Sequence, residues 1–313
     1  MDALSHALIG LATAGLSGHQ FSLSDPVYLA ALLGSLAPDF DIIAQLRSSF
    51  SYIRQHRASS HSLPGLGIWS LFIASGIQLF EPQAAFLTTL IWAFAGGLTH
   101  IIADYLNTHG SALIWPLRKD RKSHYLLNVF DPVLLFIMLV LFGIGLQPRV
   151  YAIATFSALF SYIIIRFYLK RRATSWLQNQ FNEQPIANLA VMPSLRRLFF
   201  WDFVLETTDS FIIGRIGALY PVIEINRSLP KQNITSYAAM EAKKTVVGNF
   251  FQHFTPLIYY EESRTNNFFT VNIYDLRYLI NQQFRHRATI IFDEDYVPVA
   301  SYMFAYGRKI RIS

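Results

Sequence analysis

The chain has 313 residues, 52% of them hydrophobic and only 15% charged, with a net charge of +6 and no Cys. An ordinary soluble domain is roughly a quarter charged, so the chain is not soluble throughout, and disulfides and thiolate metal sites are excluded. The positive balance does not point to nucleic acid, because the Lys and Arg residues cluster beside apolar segments, where they set membrane topology.

The charge deficit is uneven. Six apolar segments precede residue 170, at about 4–17, 27–38, 66–80, 84–103, 132–147 and 149–169. Only the fourth and sixth approach the roughly 20 residues of a full span. The first two are short enough to be half-spanning, re-entrant or buried helices. Gly10, Ala12, Ala14 and Gly15 suit the first to close helix contact. The N-terminal stretch lacks a basic n-region and carries Asp2 and His6, so it is not read as a cleaved signal peptide.

After residue 172 the composition becomes that of a soluble domain. Residues 197–206 and 210–217 flank Thr207-Thr208-Asp209 and predict a hairpin. Residues 236–247 predict a helix. Further strands are expected at 256–261, 267–274, 287–293 and 297–305, with a turn at Asp293-Glu294-Asp295. The expected architecture is a mainly α membrane domain over 1–172, of about six short or transmembrane helices, followed by a small cytoplasmic α+β domain over 173–313.

Orientation follows from the loops. Loop 39–65 holds Arg47, Arg54 and Arg57, loop 104–131 holds Arg118, Lys119, Arg121 and Lys122, and the sixth segment runs into Lys170, Arg171 and Arg172. The opposite connections carry only Arg149. Positive loops stay in the cytoplasm, so both termini and both long loops are expected there.

That rule, built on Lys and Arg alone, places a set of His and Asp residues at the same face: His6, Asp39, Asp41, His56, His61, His100, Asp104, His109 and Asp131. His100 and Asp104 stand four apart on one helix face, an expensive pair at the end of an apolar helix unless something binds it. Its plain alternative is a His–Asp hydrogen bond that packs helices. Asp39 and Asp41 repel unless a cation lies between them; the plain alternative is a helix end with one exposed Asp and one cap. His56 and His61 lie five apart, suited to a loop, beside Arg57, which can clamp an anion or meet lipid headgroups. His6 and His109 are individually weak, and Asp131 before Pro132 reads first as a helix cap. Together, imidazoles and carboxylates are what a divalent metal takes without thiolates, zinc first, with manganese or magnesium as alternatives. The set is large enough for one ion or two.

These residues resemble the YdjM-type family of inner-membrane-associated metal-dependent hydrolases. The family pattern has an early His, a P-D-x-D step, H-R-G-x-T-H-S, a helix ending H-x-x-x-D, and Trp-Pro. Here these are His6, Pro38 to Asp41, His56 to Ser62, His100 to Asp104, and Trp115-Pro116, so the match covers about residues 1–132. Ala58 stands in place of the family Gly and Ser60 in place of Thr, and His109 has no clear counterpart. More distantly, the pattern is similar to helical zinc-dependent phospholipases and nucleases that cleave phosphate esters. The resemblance implies a multi-pass protein of the bacterial inner membrane that acts as a hydrolase. Its expected metal ligands are His6, Asp39, Asp41, His61, His100 and Asp104, with His56 and Arg57 in catalysis and His109 and Asp131 in support. A site at the cytoplasmic face favours a phosphate ester or another small or lipid-like substrate drawn from membrane lipid. The non-catalytic alternative is a membrane-anchored metal-binding regulator or scaffold whose residues 173–313 recruit a protein partner. A metal transporter is a third option, weakened because the ligands sit at one membrane edge.

Overall fold

A computed structural model describes residues 1–40, 59–117, 121–231, 236–265, 268–305 and 308–312. The chain divides into two compact units, Met1–Tyr168 and Leu169–Ser313.

The first unit is helical. Its described helices are α1 (Ala3–Gly15), α2 (Pro26–Leu36), α3 (Leu63–Phe80), α4 (Phe86–Leu106), α5 (Pro132–Gly143) and the first part of α6 (Pro148–Gln180), whose residues from Leu169 onward belong to the second unit. Each apolar segment has become a helix, and the starts follow capping chemistry. Asp2, Asp25, Ser62 and Asp131 each accept backbone N–H bonds at the entry of α1, α2, α3 and α5. A Pro follows in the first turn of α2, α3 and α5, where its missing N–H costs nothing.

Three helices, α3, α4 and α6, are long and apolar enough to cross a membrane. The third segment thus joins the expected two, because Leu63, Pro64 and Gly65 extend it to 18 residues. The sixth also runs past its apolar end at 169 to Gln180, since Ala173 and Leu177 give the polar continuation a buried stripe. By contrast, α1 is buried on nearly every side from Ser5 to Gly15. Its 13 residues reach about 20 Å, short of a hydrocarbon core of about 30 Å. A helix apolar all round belongs inside a bundle.

Small residues set the packing. A Cβ on Gly34 would lie 2.1 Å from the Ala93 carbonyl oxygen, and one on Gly96 2.1 Å from that of Ala31. Helices α2 and α4 therefore touch backbone to backbone, which brings the end of α2 beside His100.

The second unit is β-rich. Strands β1 (Ile186–Pro193), β2 (Phe200–Thr207), β3 (Ser210–Gly217) and β4 (Ile223–Pro230) form an antiparallel meander in sequence order. Trp201, Phe203 and Leu205 of β2 pack with Ala173 and Leu177. Helices α7 (Tyr237–Lys244) and α8 (Val246–Phe254) precede a second sheet. It contains β5 (Ile258–Thr265), β6 (Phe268–Asp275), β9 (Arg287–Phe292), β10 (Pro298–Ala305) and β11 (Arg308–Ile312) in the order β11-β10-β9-β6-β5. A two-residue ladder, β7 (Leu279–Ile280) with β8 (Gln283–Phe284), lies between β6 and β9 in the chain. The predicted hairpin is β2–β3, and the predicted helix splits into α7 and α8 at Thr245, whose hydroxyl caps the second.

Five strands had no expectation: the two-residue β7 and β8, and β1, β4 and β11. The last three are sheet edges. Edge strands carry polar and charged side chains that keep them from pairing with other chains. In IEINRSLP and RKIRI this blurs the apolar alternation that marks a half-buried strand.

Candidate metal centre

Three elements converge in the first unit. Asp39 follows α2, His61 leads into α3, and His100 and Asp104 occupy the last turns of α4. One ligand atom from each lies within 4.8 Å of every other. His61, His100 and Asp104 are fully buried, while Asp39 is 31% exposed.

The donor atoms form a cage. His61 Nε2 and His100 Nε2 are 3.2 Å apart. His61 Nε2 is 3.4 Å from Asp39 Oδ1 and 3.4 Å from Asp104 Oδ2, and His100 Nε2 is 3.7 and 3.8 Å from the same two oxygens. A tetrahedral ion with bonds of about 2.0–2.1 Å places its donors about 3.3 Å apart. The observed edges are close to that value.

The tautomers can be argued from the outer contacts. His100 Nδ1 lies 2.7 Å from the Ser35 carbonyl oxygen, which can only accept. Nδ1 therefore carries the proton, and a neutral ring turns its Nε2 lone pair into the cage. This is the usual way a second contact fixes a metal-binding imidazole. Ser60 Oγ sits 3.0 Å from His61 Nδ1 and can hold that ring in the same manner. Two carboxylates and two neutral imidazoles, with the Met1 amino group shared at Asp104 Oδ1, leave a net negative donor set that suits a divalent cation. The donor chemistry and spacing thus fit such an ion.

His6 adjoins the cage. Its ring stacks on His100 with centroids 3.6 Å apart, and its Nε2 lies 3.5 Å from Asp104 Oδ1. The Met1 amino group donates to Asp104 Oδ1 and lies 2.9 Å from His6 Nε2. Asp104 therefore has different neighbours at its two oxygens: the His61–His100 pair at Oδ2, and His6, Met1 and Asn107 at Oδ1.

The remaining expected residues fall elsewhere. Asp41, His56 and Arg57 lie outside the described residues. His109 is not in the cage; its backbone N–H donates to Asn107 Oδ1 and its ring contacts Thr108 Oγ1 at 3.4 Å. Asp131 caps α5 and accepts hydrogen bonds from the Tyr162 hydroxyl at 2.9 Å, so it joins α5 to α6. Sequence reasoning gave no role to Asn107, which is fully buried and donates to Asp104 Oδ1 at 2.8 Å while receiving the N–H groups of His109 and Gly110. Nor did it identify Ser35, whose contribution is a backbone carbonyl and so leaves no mark in the side-chain pattern.

An apolar helical bundle holding a buried Asp/His/His/Asp group able to bind a metal ion, continued by a β-rich domain, defines the class of protein. The chain belongs to the YdjM inner membrane protein family, which matches residues 1–173. Residues 237–307 match the YfhP C-terminal alpha/beta plait domain. Over 289 residues, the chain is 27% identical to a Bacillus subtilis (strain 168) protein described as uncharacterized protein YfhP, spanning 89% of this chain and 87% of that one. No solved structure matches the chain.

Proposed function

We propose that the protein is a membrane-bound metal-dependent hydrolase acting on a phosphate ester or lipid-like substrate at the cytoplasmic face of the inner membrane. The observation that carries this reading is the His61–His100 pair, whose Nε2 atoms lie 3.2 Å apart between two carboxylates. Asp39, His61, His100 and Asp104 would hold the ion, with His6 at the outer side of Asp104. Zinc suits two nitrogen and two oxygen donors at these spacings; manganese and magnesium favour more oxygens. A divalent ion held here would polarise a scissile group and make a water acidic enough to act near neutral pH.

The protein's own groups have separable tasks. The Ser35 carbonyl and Ser60 hydroxyl orient the two imidazoles. The partial exposure of Asp39 leaves one side of the cage accessible to a substrate. His56 and Arg57 are retained as candidates for proton transfer and for clamping an anion. A second ion, as used in phosphate ester cleavage, would be held by His6 beside Asp104.

A non-catalytic regulator or scaffold is favoured by a different observation: three of the four donors are fully buried, as in closed structural sites. Elemental analysis of full-length protein in mild detergent, beside turnover on a panel of phosphate esters, separates the two. Stoichiometric metal with turnover that disappears in His100→Ala supports the hydrolase. Stoichiometric metal with no turnover on phosphate, carboxylate or amide substrates leaves the regulator.

Topology has its own test. The chain contains no Cys, so single cysteines report unambiguously. With the site facing the cytoplasm, an impermeant maleimide added to intact cells labels Ser24→Cys and not Lys122→Cys. The reverse pattern overturns the orientation.

A further inference from the structure

The first unit contains a cavity that the metal cage does not use. It has a volume of about 340 Å³ and lies between α2 and α3. Its walls include Leu29, Leu33, Phe40, Trp69, Ile73 and Phe80, and they are almost wholly apolar. The volume is at the lower end of the range for small-molecule pockets, about 300–1,000 Å³.

Its position gives it meaning. Ala37 and Phe40 line it, and Asp39 of the cage stands between them in the chain. The ring of Phe40 meets Trp69 edge-on with centroids 6.1 Å apart. From Trp69 the cavity follows α3 to Phe80, a helical rise of about 16 Å. That is about half of a hydrocarbon core of about 30 Å. Glu81, the charged residue of the lining, lies at the end remote from the cage. Helix α2 touches α4 backbone to backbone through Gly34 and Gly96, and the space remains on its α3 side. A long slot without polar partners along its length rejects a hydrated headgroup and accepts a hydrocarbon chain.

We infer that this cavity holds the single hydrocarbon tail of an amphiphile whose anionic head lies at the cage beside Asp39. The inference rests on the hydrolase reading for the head and on the cavity alone for the tail. It narrows the substrate class to single-chain or tail-inserted amphiphiles, and it makes α2 and α3 the specificity wall. Gly76 is the natural place to obstruct it. It lines the cavity, and a Cβ there meets no atom of the described residues within 4 Å. A Gly76→Phe side chain therefore rises from a wall of the slot without meeting a neighbour at its Cβ. Gly67, on the same helix, has equally open surroundings and does not line the cavity.

The test uses full-length protein in lipid nanodiscs and a long-chain alkyl phosphate carrying a mid-chain diazirine. After photolysis, adducts are mapped by mass spectrometry, with labelling of α6 as the internal standard and metal content measured on the same samples. The expected result is labelling concentrated on α2 and α3. Gly76→Phe lowers it about tenfold, the equivalent of expelling two methylenes. Gly67→Phe leaves it unchanged, and Ile73→Trp, obstructing the slot from the same wall, repeats the loss. Even labelling of all lipid-facing helices, or Gly76→Phe and Ile73→Trp variants that label like wild type, overturns the inference. If α2 and α3 label in a Gly76-dependent way while the protein binds no metal, the tail site stands and the hydrolase reading falls. Metal without selective labelling gives the converse.

Discussion

Both units bury carboxylates, and they neutralise them differently. In the second unit Asp275 is fully buried, but Arg277 donates to it at 2.9 Å and Thr255 caps its other oxygen at 2.9 Å. His286 lies 3.5 Å away. That cluster brings its own permanent cation and closes on itself. In the first unit Asp39 and Asp104 face each other across two imidazoles, and the cation among the described residues is the Met1 amino group, which meets Asp104 at Oδ1 and not at the Oδ2 that faces His61 and His100. Imidazoles that turn lone pairs inward supply no positive charge. The contrast teaches how to read a buried acid: a carboxylate paired with Arg in a closed cluster holds a fold together, whereas two carboxylates gathered around two imidazoles make a donor set for a metal ion.

The largest expected effect breaks the comparison outright if it fails. Asp104→Asn keeps the shape and removes the charge, so metal measured by elemental analysis should fall from stoichiometric to background. An unchanged metal content would mean that the cage is a packing device. Asp275→Asn comes next, because it leaves Arg277 buried without its counterion. It should cost about 3–5 kcal/mol, read as faster hydrogen exchange over β5, β6 and β9, with metal content unchanged. The pH dependence has a definite sign. Burial pushes the Asp275 carboxyl up, but the charge of Arg277 and the hydrogen bond with His286 outweigh it and hold the group below the ordinary range. Its contribution is therefore intact above about pH 4, the unfolded value, and is lost as pH falls from there toward the lower folded value. Chemical denaturation of the second unit at pH 6 and pH 3, compared with Asp275→Asn, checks this: the gap between the two proteins should narrow in acid.

Two smaller effects sharpen the contrast. Asn107→Ala removes a donor to Asp104 and should weaken metal affinity about 10–100-fold, measured by competition with a chelating dye. Gly34→Ala puts a methyl group against the Ala93 carbonyl and should cost about 1–3 kcal/mol. Because α2 also carries the Ser35 carbonyl that orients His100, that strain should lower both thermal stability and metal affinity, whereas Gly143→Ala, in open surroundings, should lower neither.

Much of this was legible in the chain. The helices could be read because apolar runs and their Asp, Ser and Pro starts are local signals. Asp39, His61, His100 and Asp104 could be nominated because polar groups are costly at the ends of such helices. The edge strands β4 and β11 could not, since their polar and charged side chains leave no strong alternation, nor could β7 and β8, whose two residues each are too few to carry one. Asp131 read as a helix cap and is one, and its hydrogen bond with Tyr162 on α6 was beyond reach from sequence.

The sequence by itself determined that the chain has an apolar helical half and a β-rich half, and which residue types near the helix ends could bind a metal. Spacing and composition suffice for that, because capping, amphipathic period and the cost of burying charge act within a few residues. Only the tertiary structure decided that Asp39, His61 and the His100–Asp104 pair share one cage, that the Ser35 carbonyl fixes a tautomer, and that an apolar cavity lies between α2 and α3. Those depend on Gly-mediated contact between α2 and α4, and on donor distances of a few ångströms between segments far apart in the chain, which no local pattern encodes.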